Sequence, residues 1–447
     1  MQRSGLLWTK TLIFAACSCV LVAMQFLVPQ MDDPLPPTSW TSTTAGDSKS
    51  SFPSSLAYGT PGWTDRFFIS MGDFGTATCA RLKTHKECRA GVQAKVAATL
   101  RTYAELFHPR LILGLGDNFY PDGVTSTADE AFDETFSAIY SCGSGSGAAG
   151  TNRALRCASR LAATPFLMAL GDHDHCGSVS AQLEFGARSG GKFLMPAPYY
   201  VRSFEFHLAD SGSGSDGGET RDVKFIVTDS VGLEGGSLSA GERRFAAKLD
   251  ASLAGPTAAR RQWAWLEAEL HAALPATLAS AGDDAHPPAL AVVVGHRPIL
   301  SLAARPRTGP ELHCGERLAA LLTASPAALY ITGHDHTMQH FVLRSTGGSP
   351  ASPSNSTAAH NLHCVVNGVG GFNLHPLSPL AGAGGDPAGA EAGSAAETMA
   401  RRARAALRWR QNVEMGFVLH EVTRDGMVLR FIGAERGELL HTVMIER

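Results

Sequence analysis

The sequence predicts an α/β fold with its ligand site at the carboxyl ends of the strands. Short apolar runs close on glycine plus an acid or histidine. Helical segments stand between several of them. The bulk composition, 447 residues with 44% hydrophobic and 18% charged, suits a globular chain with a sizeable core. In chain order the runs are Phe67–Asp73 (FFISMGD), Leu111–Asp117 (LILGLGD), Phe166–Asp172 (FLMALGD), Ala291–His296 (AVVVGH) and Ala328–His334 (ALYITGH). Each is too short for a helix and reads as a buried strand. Gly91–Phe107 and Gln262–Ala273 read as helices. Strands alternating with helices build α/β layers, and such sheets bind ligands beyond the carboxyl ends of their strands. Asp73, Asp117, Asp172, His296 and His334 are therefore expected along one edge. A single Asp after a strand is ordinarily a turn former or helix cap. Five oxygen or imidazole donors gathered together are different, because burying them without cations would be very costly.

The flanks point to the secretory pathway. Arg3 and Lys10 precede an uncharged apolar run of 18 residues, Thr11–Val28, and Asp32 and Asp33 follow it. That polarity places the N-terminus in the cytosol and the rest across the membrane, lumenal or extracellular. The run is longer than the ~7–15 residues of a cleaved signal and near the ~20 of a span, so a type II signal anchor over residues 1–28 is favoured over a removed signal peptide. Residues 29–62, rich in Pro, Ser and Thr, read as a stalk. Residues 63–447 read as one catalytic domain, interrupted by low-complexity loops at Gly143–Gly150, Ser211–Gly218, Thr346–Ala359 and Ala381–Ala396. Net charge is −3, so nucleic-acid binding gains no support. No CxxC pair suggests structural zinc. Outside the apolar run stand seven cysteines, an odd number; Cys79 with Cys88 and Cys142 with Cys157 are the easy local pairings. Asn355 heads the usable glycosylation sequon. Oligomeric state is not encoded legibly.

Asp and His together suit Fe, Mn and Zn. Two such cations about 3.5–4 Å apart activate a water and neutralise charge on a transferring phosphoryl group. The ordered motifs GDFG (Gly72–Gly75), GDNFY (Gly116–Tyr120), GDHDH (Gly171–His175), GH (Gly295, His296) and GHDH (Gly333–His336) resemble those of calcineurin-like metallophosphoesterases. Tyr120, three residues after Asp117, narrows the resemblance to purple acid phosphatases. Phe132–Phe136, Ser180–Leu183, Pro196–Tyr200 and Gly333–Gln339 resemble the small, tartrate-resistant animal form. The resemblance spans roughly Arg66 to the C-terminus.

That resemblance implies a four-layer α/β/β/α sandwich of two mixed sheets flanked by helices. It also implies an acid phosphatase acting on small phosphomonoesters, with phosphoproteins as further candidates. By the same resemblance Asp73, Tyr120 and His336 hold Fe(III), Asp117 bridges, and His296, His334 and Asp172 hold a divalent Fe, Zn or Mn. A metal-bound hydroxide is the nucleophile and His173 the general acid. Asn118, Asp174 and Asp335 orient these groups, and His175 is a solvent-side contact or nothing. Trp263 and Trp265 read as helix packing rather than substrate stacking.

Three positions depart from the family. Asp172 stands where it carries Asn, which predicts a harder-held divalent metal and slower turnover. Arg305 stands where the animal enzymes carry a second substrate histidine; it can clamp phosphate but cannot donate a proton near pH ~5–7. Leu233–Ala259 matches a loop that the family ties down by a disulfide; Cys314 matches one partner, but Glu234 occupies the other position. Two alternatives remain. A membrane-anchored, catalytically weak scaffold, as in the parasite gliding motor complex, would be marked by lost ligands. A diester or pyrophosphate hydrolase is disfavoured by Tyr120.

Overall fold

The computed structural model describes residues 65–75, 91–141, 159–208, 219–237, 252–253, 255–273, 289–305, 307–344, 361–379 and 394–446. The N-terminal segment 1–28, the stalk, Asn355 and Cys79, Cys88, Cys142 and Cys157 lie outside them. So do the expected low-complexity loops, apart from the end of the last. That tract closes earlier than expected: Ser394 accepts the backbone N–H of Glu397 and starts the helix Ala395–Ala406. Among the described residues, no helix is long and apolar enough to cross a membrane.

Two seven-stranded mixed sheets face each other. The first has the order β14-β13-β12-β1-β2-β3-β4, the second β11-β9-β10-β8-β7-β6-β5. In the first, β1 (Phe67–Met71), β2 (Ile112–Gly114), β3 (Phe166–Met168) and β4 (Phe193–Leu194) run parallel. The antiparallel strands β12 (Gly416–Thr423), β13 (Gly426–Gly433) and β14 (Glu438–Glu446) extend that sheet from β1. In the second, β6 (Thr220–Val227), β7 (Leu290–Val294), β8 (Ala327–Thr332) and β10 (Asn361–Asn367) are parallel. The antiparallel strands β5 (Tyr200–His207), β9 (Met338–Arg344) and β11 (Leu407–Gln411) complete it.

The five apolar runs are strands because both of their faces are buried. Phe68, Leu113 and Val292 point between the sheets. Ile69 and Ile112 point instead toward Val96 and Leu100 of the helix Val92–Phe107. Val293 packs with Trp263 and Leu266 of the helix Pro256–Ala272, and with Leu318 of the helix Gly309–Thr323. Three cores separate four layers, as the resemblance implied. Side chains alternate across a strand, so a run buried on both faces must be apolar throughout. The helix expected from Gln262 starts earlier, at Pro256, because proline's fixed φ and missing N–H suit the first helical turn. The helix Gly309–Thr323 opens on a capping box between Thr308 and Glu311.

Candidate metal centre

The donors come from both sheets. β1, β2 and β3 deliver Asp73, Asp117 and Asp172 from one side; β7 and β8 deliver His296 and His334 from the other. Asp73, Asp117 and His334 hold left-handed backbone, with φ of 60°, 53° and 65°. Among the described residues only one other non-glycine does so, His108 at a helix end. Each such residue costs about 1–2 kcal/mol, and strain of this kind gathers at functional sites. The glycines before the donors are required by space. A Cβ on Gly171 would lie 2.1 Å from Asp117 Oδ1, and one on Gly333 2.3 Å from Asp73 Oδ2.

Asp117 divides the donors into two groups. Its Oδ2 lies 2.8 Å from Tyr120 Oη, which is also 3.1 Å from Asp73 Oδ1 and 3.1 Å from His336 Nε2. Its Oδ1 faces His296 Nε2 at 3.4 Å. His296 Nε2 lies 3.0 Å from Asp172 Oδ1, and His334 Nδ1 lies 2.8 Å from that oxygen. Asp117, Asp172, His296 and His334 each place a ligand atom within 4.8 Å of the others. Asp172 Oδ1 is buried and faces both imidazole nitrogens, a convergence of donor atoms that suits a cation. The carboxylate, imidazole and phenol donors fit two borderline or hard cations that share Asp117.

Surrounding groups aim these atoms. His296 Nδ1 lies 2.7 Å from Leu115 O, and His336 Nδ1 lies 2.8 Å from Asn373 Oδ1; both contacts turn Nε2 toward the centre. Asp174 accepts from Gly171 N at 2.8 Å, Asn118 N at 3.1 Å and Gln182 Nε2 at 2.9 Å. The amide of Asn118 reaches Asp174, Gln182 and Ala169 O, so it braces the GDHDH loop. Burial, then Asp117, pushes the Asp174 carboxyl up to about 6, against those donors. Burial opposes a charge on Asp117, but His296 holds its pKa below the usual range. His296 is likewise opposed by burial and raised well above an ordinary histidine, chiefly by Asp117. The negative field that raises His296 would also draw a metal ion.

The remaining expected residues are placed as follows. His173 donates its backbone N–H to Asp117 Oδ1 at 3.0 Å, and its Nδ1 contacts Pro121 O at 2.5 Å, which leaves Nε2 as the other ring nitrogen. Arg305 lies with Nε on Asp335 and Nη2 2.7 Å from Glu311. Asp335 is buried and held below the usual carboxylate range against burial, mainly by Arg305. His175 is not on the solvent side: it is buried and bonded to Asp229 Oδ1 at 2.9 Å. Trp263 is buried, donates to Leu233 O and carries Arg317 on its face, as expected of a packing residue. Cys314 is a buried free thiol. Glu234 does lie beside it, in one small enclosed cavity.

The sequence reading missed the loop after β10. Phe372 stacks on Tyr120 at 4.3 Å, His375 stacks on His336 at 4.0 Å, and Asn373 holds His336. The signal was present as an apolar strand running into glycines and then Asn and His, VVNGVGGFNLH. It went unread because no acid or His follows the first glycine directly.

Over 324 residues the chain is 30% identical to tartrate-resistant acid phosphatase type 5 of Sus scrofa, covering 70% of this chain and 78% of that protein. The chain belongs to the purple acid phosphatase family. The human type 5 enzyme is 29% identical over 61% of this chain and 67% of its own length. Purple acid phosphatase 4 of Arabidopsis thaliana is 27% identical over 64% and 68%. A solved structure of GAP50, described as the anchor in the inner membrane complex of Plasmodium, has the same fold. Its TM-score is 0.53 at 19% identity, over 85% of this chain and 88% of that one. No family model matches the chain. Purple acid phosphatases are metal-dependent hydrolases with a dinuclear centre, and the two donor groups joined by Asp117 fit one.

Proposed function

We propose that this chain is an acid phosphatase that hydrolyses phosphate monoesters at an Fe(III)–M(II) centre. One observation carries the reading: the two oxygens of Asp117 face two separate donor groups, and one of those contains Tyr120. Tyr120 is buried against Asp117 and Asp73, which raises its pKa well above 10. Only a strongly Lewis-acidic ion displaces a proton from such a phenol, which favours Fe(III) with Asp73, Asp117, Tyr120 and His336. His296, His334, Asp172 and Asp117 would hold the divalent partner. When bound, the two ions supply an activated water and neutralise charge developing on the phosphoryl group.

The protein's own groups do the rest. His173 Nε2 hands a proton to the departing alkoxide, its ring held by Pro121 O. Arg305, engaged by Asp335 and Glu311, adds a fixed positive field beside His334 rather than a mobile clamp. The scaffold reading needs lost donors, and the donor set is retained. We also propose a lumenal or extracellular catalytic domain behind an N-terminal anchor, on the strength of Arg3 and Lys10 before the apolar run.

The test uses the full chain. Metal content, visible absorbance and hydrolysis of p-nitrophenyl phosphate and a diester analogue are measured with and without tartrate. We expect two metals per chain, an iron–phenolate band lost in Tyr120→Phe, and monoester hydrolysis that resists tartrate. An active but iron-free, colourless protein, or a preference for the diester, would refute the proposal.

A further inference from the structure

We infer that Arg297 is a positioning residue that offsets the charge of Asp172, and that Glu234 holds it at the distance where Asp172 still ligates metal. The inference rests on the dinuclear reading proposed above and extends it to residues that the resemblance does not assign.

Asp172 places a full negative charge where the family has a neutral amide, and it is 1% exposed. On its own it would over-bind the divalent ion and repel an anionic substrate. The structure supplies a cation beside it. Arg297 Nε lies 3.6 Å from Asp172 Oδ1, and the guanidinium is itself buried. Arg297 directly follows the donor His296, so the end of β7 fixes both. Its N–H donates to Ser230 Oγ at 3.1 Å, and its carbonyl accepts from Tyr330 Oη at 2.8 Å.

A free guanidinium so near a carboxylate would take both oxygens in a fork and withdraw them from a metal. Glu234 works against that. Its Oε2 lies 2.5 Å from Arg297 Nη1, a different nitrogen from the Nε that faces Asp172. Glu234 is 2% exposed by side chain and shares its cavity with Cys314, where the family has its disulfide. Two departures from the family therefore meet on one arginine. The carboxylate at 172 calls for a cation, and the carboxylate at 234 keeps that cation from capturing the ligand. The expected slow turnover from Asp172 considered alone is revised accordingly.

The measurement is the dissociation constant of the divalent site, read by chelator competition with Zn2+ on the full chain; it does not depend on turnover. Asp172→Asn alone leaves Arg297 facing a divalent cation across a neutral amide. It should weaken Zn2+ at least tenfold. Arg297→Met with Glu234→Gln removes the pair together, leaves Asp172 uncompensated, and should tighten Zn2+ by a similar factor. Combining all three substitutions should return the constant to within about threefold of wild type. Arg297→Lys keeps the charge and should behave as wild type. A triple variant whose constant stays more than threefold from wild type, or an unchanged constant without Arg297 and Glu234, would overturn the inference. If the wild-type chain takes up no divalent ion, the dinuclear reading fails instead. The pairing is then judged by urea midpoints of the same variants without metal, where the absence of coupling between positions 172 and 297 overturns it.

Discussion

Acid is the condition in which this protein is proposed to work, yet its core contains a side chain that acid should attack. His420, on β12, is fully buried. Its ring stacks on Phe68 at 4.2 Å with planes 3° apart, and its Nε2 lies 2.9 Å from Ser70 Oγ. Burial pushes the imidazole down to about 3. In the unfolded chain it returns to about 6.5. Between those values the unfolded state binds the extra proton, so stability rises with pH. The contribution is fully present above about 6.5, is lost as pH falls toward about 3, and is constant below that. Each pH unit in that window costs about 1.4 kcal/mol from this one group, or about 2 kcal/mol between pH 6.5 and 5. For a domain of this size that amounts to about 2–3 °C in Tm. His420→Phe keeps a ring over Phe68 and removes the titrating nitrogens. Urea unfolding of both proteins from pH 7.5 to 4.5 should show the wild type losing about 2 kcal/mol more than the variant by pH 5. Parallel curves would refute the reasoning. So would a ring-proton NMR titration that places His420 of the folded protein near 6.5.

Two further predictions concern the centre. Asn373→Ala removes the acceptor that turns His336, and should weaken metal binding about 10–100-fold, measured by chelator competition, with little change in the urea midpoint. Gly171→Ala drives a methyl into Asp117 Oδ1, on the carboxylate proposed to bridge the metals. It should cost about 1–3 kcal/mol in unfolding and lower the metal content of the purified protein.

Much of the fold could be read from the runs that end in Gly-Asp or Gly-His. A strand buried on both faces must be apolar at consecutive positions, and a chain that turns sharply out of it into a crowded site needs glycine. Those demands are local, so they are written locally in Phe67–Asp73 and its four counterparts. The ordered donor types then limited the chemistry, because carboxylate, phenol and imidazole select among metals before any distance is known. Pairings between distant residues could not be read in this way. Asn373 and His336 are 37 positions apart, Glu234 and Arg297 are 63, and neither pair leaves a periodic trace. Nor could the sequence say that Arg305 faces Asp335 and Glu311, or that His175 turns inward to Asp229. The type of each ligand follows from its own strand end, but its charge balance depends on what the facing sheet and helices bring within 4 Å. At Asp172 that is Arg297, which only the closure of the two sheets places there.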